Sequence, residues 1–213
     1  MRKCKVVKYL FIVLILCGYA YVYAETTEQK HSIFAGAGYW LSIGAKDDLK
    51  NTIGFSVLYQ YKFSKNLSAT GGIFYFAPSI KGTALPSGSI KLIPLIVNAQ
   101  YTYNHKSYSP YVSGGLAVFM VNYALSSDSI KAYDALGFDI DSKGKTKAGF
   151  NIGGGTLIEM NKKYSIFAEI RFFICSTTLE NSITDRVTTT SHLSSSDISL
   201  NSFIFSGGIK FNL

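Results

Sequence analysis

The closing stretch Ile204-Phe205-Ser206-Gly207-Gly208-Ile209-Lys210-Phe211-Asn212-Leu213 decides the fold. In steps of two, Phe203, Phe205, Gly207, Ile209, Phe211 and Leu213 form an apolar row, while Ser202, Ser206, Gly208, Lys210 and Asn212 lie on the other. Period two with one greasy face describes a strand with one side in an apolar medium. A bare apolar C-terminal strand on a soluble sheet invites aggregation. A strand that closes a membrane barrel escapes this, because closure removes the edge and lipid covers the outer face.

Working back through the chain, the same alternation predicts seven more strands. The first is Ser32 to Ile43, with Ile33, Ala35, Ala37, Tyr39, Leu41 and Ile43 on one face. The second, Thr52 to Phe63, sets Ile53, Phe55, Val57, Tyr59 and Tyr61 against Gly54, Ser56, Leu58, Gln60 and Lys62. The third runs from Leu67 to Ala77, and its Gly71-Gly72 pair suits tight curvature or a crowded interior. In the fourth, Ile90 to Tyr103, Pro94 cannot donate to the ladder, so a bulge is expected there. The fifth, Tyr111 to Tyr123, is apolar on both faces and pattern does not assign its inside. The sixth, Thr146 to Met160, and the seventh, from Tyr164, place Lys147, Asn151, Glu159, Glu169 and Arg171 on the inward row.

Connections after the second, fourth and sixth strands are short, whereas Gly44 to Asn51, Pro78 to Ser89, Ala124 to Lys145 and Thr178 to Ser199 are long and polar. Short turns at one end and long loops at the other describe an all-β, eight-stranded, antiparallel, transmembrane up-and-down barrel, its long loops outside the cell. Tyr39, Trp40, Tyr59, Tyr61, Tyr101, Tyr103, Tyr111, Tyr123 and Tyr164 are expected to form interfacial girdles. A soluble lipocalin-like barrel shares this periodicity. However, the polar rows are rich in Gly, Ser, Asn and Gln and poor in charge, which suits a lumen better than a solvent face.

The N-terminus supplies a route out of the cytoplasm. Met1 to Lys8 is basic, Tyr9 to Gly18 apolar, and Val22-Tyr23-Ala24 precedes a polar run. This is the arrangement of a secretory signal peptide, and cleavage is expected after Ala24, with 1–24 as the signal and 25–213 as the barrel domain. An uncleaved anchor would need ~18 to 20 apolar residues, and a lipoprotein reading at Cys17 meets Leu16 where a small residue is wanted. Loss of Arg2, Lys3, Lys5 and Lys8 leaves +4 of the formal +8, scattered rather than striped, which does not suit a nucleic-acid partner. Only Cys175 remains after Cys4 and Cys17 depart, so an internal disulfide is excluded. The 15 Tyr, 15 Phe and 19 Gly against 4 Pro also favour β structure.

Three segments resemble the small outer-membrane β-barrel family, which includes the transmembrane domain of outer-membrane protein A and the opacity-type surface proteins. Ser206-Gly207-Gly208-Ile209-Lys210-Phe211-Asn212-Leu213 resembles the family's C-terminal assembly signal, carried here by Ser206, Gly208, Phe211 and Leu213 and ending in Leu rather than Phe. Ser109-Pro110-Tyr111-Val112-Ser113-Gly114-Gly115-Leu116 is similar to its Pro-Tyr strand start. Phe150 to Gly155, followed by Tyr164 to Phe172, is similar to its penultimate hairpin. The resemblance implies outer-membrane lipid, lipopolysaccharide and the barrel-assembly machinery as partners. It says little of activity, because fold does not carry function.

Lys62, Lys147, Glu159, Glu169, Arg171 and Lys210 are expected to point into a lumen narrow enough for side chains to fill. Charges buried there must pair. They read first as a structural ion-pair network and second as the lining of a narrow channel for small or hydrophobic solutes. A third reading, a lipid-modifying enzyme, draws on His192 and Ser194 in the last long loop, with Asp197 the nearest acid. No metal-ligand spacing or phosphate loop stands out, and no cofactor is expected. The expectation is a non-enzymatic structural or surface-interaction protein that meets a host or surface ligand through its long loops.

Overall fold

The computed structural model describes residues 30–44, 49–80, 88–105, 108–185, 188 and 191–213. The expected signal peptide lies outside them. Among the described residues, eleven strands and one helix follow in order: β1 (His31–Ser42), β2 (Thr52–Lys62), β3 (Leu67–Phe76), β4 (Gly88–Thr102), β5 (Tyr108–Leu125), α1 (Ser127–Ala135), β6 (Phe138–Gly144), β7 (Lys147–Glu159), β8 (Tyr164–Ile174), β9 (Ser176–Asp185), β10 (Ser191–Ser199) and β11 (Ser202–Asn212). Eight of them close an antiparallel barrel in the order β1-β11-β8-β7-β5-β4-β3-β2.

The closing strand does what its alternation predicts. It pairs with β1 from Ser32↔Asn212 to Ser42↔Ser202, and with β8 from Tyr164↔Phe211 to Phe173↔Ser202. At this seam Gly36 and Gly208 face each other. A Cβ on Gly208 would fall 2.2 Å from the Ala35 carbonyl oxygen, so the strands approach here only because both residues lack side chains.

Outward rows are apolar and exposed throughout: Ile53 (69 %), Phe55 (66 %), Val97 (68 %), Val112 (62 %), Phe150 (63 %) and Ile152 (63 %) stand on different strands around the wall. Inward rows are buried. Such a wall needs a hydrocarbon solvent, and a closed sheet satisfies its own backbone within one. Among the described residues no helix is long and apolar enough to cross a membrane.

Short connections lie at one end, at 63–66 and 160–163 and between β4 and β5, where the described terminal strands β1 and β11 also begin and finish. Local chemistry sets these turns: Asn161 Oδ1 accepts from Lys163 N at 2.8 Å and Tyr164 N at 3.0 Å, an Asx turn. Exposed Tyr59, Tyr101, Tyr103 and Tyr164 ring that end as the expected girdle, joined by Tyr108, which the pattern did not single out. Three expected girdle members are corrected. Trp40, Tyr111 and Tyr123 are 1 %, 4 % and 2 % exposed and fill the interior, since each sits on the inward parity of its strand.

Pro94 also departs from expectation. Ile73↔Leu95 and Phe76↔Leu92 keep the same register on either side of it, so the β3–β4 ladder is interrupted without an inserted residue. On the other side Pro94 pairs with Phe119 in an unbroken β4–β5 ladder. Its missing N–H costs a ladder bond, not a bulge.

The largest difference lies at the long-loop end. The segments expected as polar loops at Ala124 to Lys145 and Thr178 to Ser199 hold α1 and a second sheet ordered β10-β9-β6. This sheet prolongs three neighbouring barrel strands. The pairing of β8 with β11 and of β9 with β10 is in one constant register, from Tyr164↔Phe211 to Thr184↔Ser191. The inward row continues too: Arg171, Phe173, Cys175, Thr177 and Leu179 are all buried. On the third strand Gly144 pairs with Leu179 and Phe150 with Ile174, so six steps face five and a bulge falls between β6 and β7. Helix α1 leads in from β5, capped by Ser126 Oγ accepting from Ser129 N at 3.2 Å and ended by Gly137 at φ 81°.

Candidate functional site

Three zones fill the barrel, and strand parity dictates each. At the short-turn end the inward residues are polar: Lys62, Ser68, Thr102, Ser109, Ser165 and Lys210 surround a cavity of about 40 Å³ that Glu159 also lines. Lys210 is 4 % exposed and its ammonium lies 5.4 Å from the centre of the Phe34 ring. Among the described residues no carboxylate comes within 4.0 Å of Lys62 or Lys210.

At mid-barrel stands a desolvated ion pair. Arg171 Nη2 donates to Glu169 Oε2 at 2.7 Å, and Arg171 Nε to Glu169 Oε1 at 2.8 Å, a fork on both carboxylate oxygens. Ser113 Oγ accepts from Nη2 at 3.2 Å, Asn151 Oδ1 accepts from Nη1, and Tyr111 OH donates to Glu169 Oε2 at 3.0 Å. With its amide oxygen turned to the guanidinium, Asn98 accepts from Nη1 at 2.5 Å and donates to Asn151 Oδ1 at 3.1 Å. The Phe74 ring centre lies 6.0 Å from the guanidinium carbon. Glu169 and Arg171 sit at i and i+2 on one strand, so they share the inward face by construction.

Toward the long-loop end the lumen is apolar. Phe173 meets Phe74 (5.9 Å) and Phe119 (5.4 Å) edge-on, and Phe74 stacks on Phe76 (6.1 Å). Trp40, Leu92, Ile96 and Ile204 complete this plug, each at most 2 % exposed.

The six charges predicted for one lumen network therefore divide. Glu169 and Arg171 form the central pair, and Lys62, Glu159 and Lys210 gather at the short-turn mouth. Lys147 is corrected: it is exposed at the long-loop end of β7, where it pairs with Phe119 of β5. Tyr111, Ser113, Asn98 and Asn151 were missed as partners of the pair. The inward parity of the fourth, fifth and sixth strands was the signal that could have found them. In the assembly segment, Ser206 and Gly208 take the inward side while Phe211 and Leu213 are 43 % and 65 % exposed.

The β10-β9-β6 sheet carries charge on its outward face. Lys145 pairs with Glu180 at 2.5 Å, Lys143 with Asp141 at 2.9 Å, and Thr178 Oγ1 donates to Asp197 Oδ1 at 2.7 Å. The hydrogen bond from Lys143 holds the Asp141 carboxyl below its ordinary range. His192 and Ser194 are exposed on β10 and share one face by parity, whereas Asp197 lies on the other. A His–Ser–acid relay is thus not assembled among these residues. Among the described residues no group of three or more His, Cys, Asp or Glu gathers as a metal site.

No protein-family model matches the sequence, and no curated protein matches it. Solved structures do. The outer membrane protein OprG from Pseudomonas aeruginosa is similar at TM-score 0.68 and 14 % identity, over 87 % of this chain and 96 % of that one. Neisserial surface protein A follows at 0.55 and 17 %, over 86 % and 97 %. Ail, the attachment invasion locus protein of Yersinia pestis, is similar at 0.51 and 16 %, over 87 % and 100 %. The fold resemblance read from the three sequence segments holds: this is a closed eight-stranded barrel of the small outer-membrane type. Its apolar wall makes it a protein of the bacterial outer membrane.

Proposed function

We propose that the protein is a non-enzymatic surface-interaction protein that works through the sheet β10-β9-β6 above its barrel. The observation that carries this reading is the pairing of a plugged lumen with a long, regular extension beyond the lipid belt. Mid-barrel and upper inward side chains are packed against one another, which suits support rather than passage. The prolonged β8–β9 and β10–β11 hairpin instead lifts a polar, charged surface away from the membrane, where a rigid platform recognises partners best. The likeness to an attachment protein agrees with this reading without specifying a ligand.

The experiment has two arms. Refolded protein in a planar lipid bilayer should give no discrete openings, whereas reproducible conductance would favour the channel. Cells displaying the protein should adhere to one or more of a panel of immobilised host-surface proteins and glycans, and replacing residues 178–197 with a short Gly-Ser turn should abolish adhesion while the barrel still folds. Equal adhesion by the shortened protein would overturn the proposal.

We also infer that the closing strand is read by the barrel-assembly machinery. Phe211→Asp or Leu213→Asp should cut outer-membrane levels more than tenfold, measured by fractionation and heat-modifiable gel mobility. Wild-type levels of both variants would remove that role.

A further inference from the structure

The polar mouth at the short-turn end holds two lysines and Glu159 that no direct salt bridge joins among the described residues. Lys62 and Lys210 come from strands that are not neighbours, β2 and β11, and both line the same small cavity with Glu159 of β7. Lys210 is almost wholly buried, yet among the described residues its ammonium has a ring face on one side and no carboxylate within salt-bridge distance. The remaining wall mixes hydroxyl and amide groups, including Ser68, Thr102, Ser165 and Asn212, with Lys65 and the apolar side chains of Leu67 and Leu157. The mid-barrel pair shows how this chain neutralises a buried cation when the partner is its own. At the mouth the corresponding space is open.

We propose that this vestibule is a binding site for a phosphate-type oxyanion, held between the Lys62 and Lys210 ammonium groups. A buried ammonium with no carboxylate in direct contact is costly. An oxyanion would supply charge-assisted hydrogen bonds to both lysines and accept from the surrounding hydroxyl and amide donors. The cavity of about 40 Å³ has room for a few waters or one tetrahedral anion. Glu159 faces the same space with the wrong sign for an anion, so it tunes affinity downward. Its position makes the arrangement readable by substitution.

The test is a titration of protein refolded in a phosphate-free, non-ionic detergent, followed by the amide NMR shifts of Lys62, Ser165 and Lys210. Inorganic phosphate should saturate these shifts at millimolar concentration. Lys210→Met and Lys62→Met should each weaken binding about tenfold or more, and Glu159→Gln should tighten it severalfold. Glycerol 3-phosphate forms the second arm. Saturation of the same residues by the ester identifies a headgroup-type ligand, and saturation by inorganic phosphate alone identifies the free ion. Gel mobility confirms folding of each variant, and Glu159→Gln carries the test if a lysine variant fails to fold. Shifts that rise linearly without saturating, that survive Lys210→Met in a folded barrel, or that weaken in Glu159→Gln overturn the proposal.

Discussion

Arg171→Met is expected to destabilise the barrel by about 3–5 kcal/mol, the loss typical when one partner of a buried ion pair is removed. Arg171 and Glu169 are 1 % and 6 % exposed, so water reaches neither to compensate. Without the guanidinium, the Glu169 carboxylate keeps Tyr111 as a donor but loses both arms of the fork, while Ser113 and Asn151 lose theirs. Arg171→Lys should recover part of the loss, because a point charge replaces the field but cannot span both carboxylate oxygens. The double variant Glu169→Gln, Arg171→Met should recover most of it, since no uncompensated charge remains. Urea unfolding from lipid vesicles measures all three, read by Trp40, the chain's single tryptophan, which lies 1 % exposed in the plug above the pair. Equal stability of Arg171→Met and the unaltered protein would mean that the lumen is wet and the pair screened.

The pair was legible because two constraints coincide: Glu169 and Arg171 share parity on one strand, and a narrow barrel leaves inward charges no solvent. Parity also carried the closing strand, whose apolar row stands in the lipid-facing wall. Where composition was even on both faces, pattern failed. In β5, Val112, Leu116 and Val118 alternate with Ala117, Phe119 and Val121, all apolar, and only packing turns the second set inward. The same limit misplaced Trp40, Tyr111 and Tyr123, because an aromatic near a strand end is as good a plug as a girdle member, and parity decides. The sheet above the barrel was hidden for another reason. Its strands are rich in Ser, Thr and Asp, residues that mark loops, and their stability comes from continuing an established ladder rather than from β propensity. Lys147 was placed in the lumen by parity alone, which fixes a face but not a depth. It stands on the correct side of β7, at the exposed long-loop end of the strand.

Ile170→Arg is expected to cost about 2–4 kcal/mol, whereas Leu193→Arg should change stability by less than about 0.5 kcal/mol. Both residues are exposed apolar side chains on outward strand positions, at 51 % and 70 %, and in water the two substitutions would be equally harmless. The difference comes from the medium alone. Ile170 lies in the middle of β8, flanked by Phe205 of β11 and Gly154 of β7, at the depth where an arginine finds neither water nor headgroups. Leu193 stands on β10, beyond the barrel strands, where solvent reaches it. Refolding yield and urea midpoint in vesicles measure both, and the same pair in detergent micelles should show a smaller gap. Two neutral substitutions would put the whole wall in water. The alternation along β11 would then belong to a soluble barrel of the lipocalin type with its apolar rows turned outward, an arrangement that water does not tolerate over so large a surface. The contrast between Ile170 and Leu193 therefore tests the one assignment on which the lumen pair, the mouth and the raised sheet all depend.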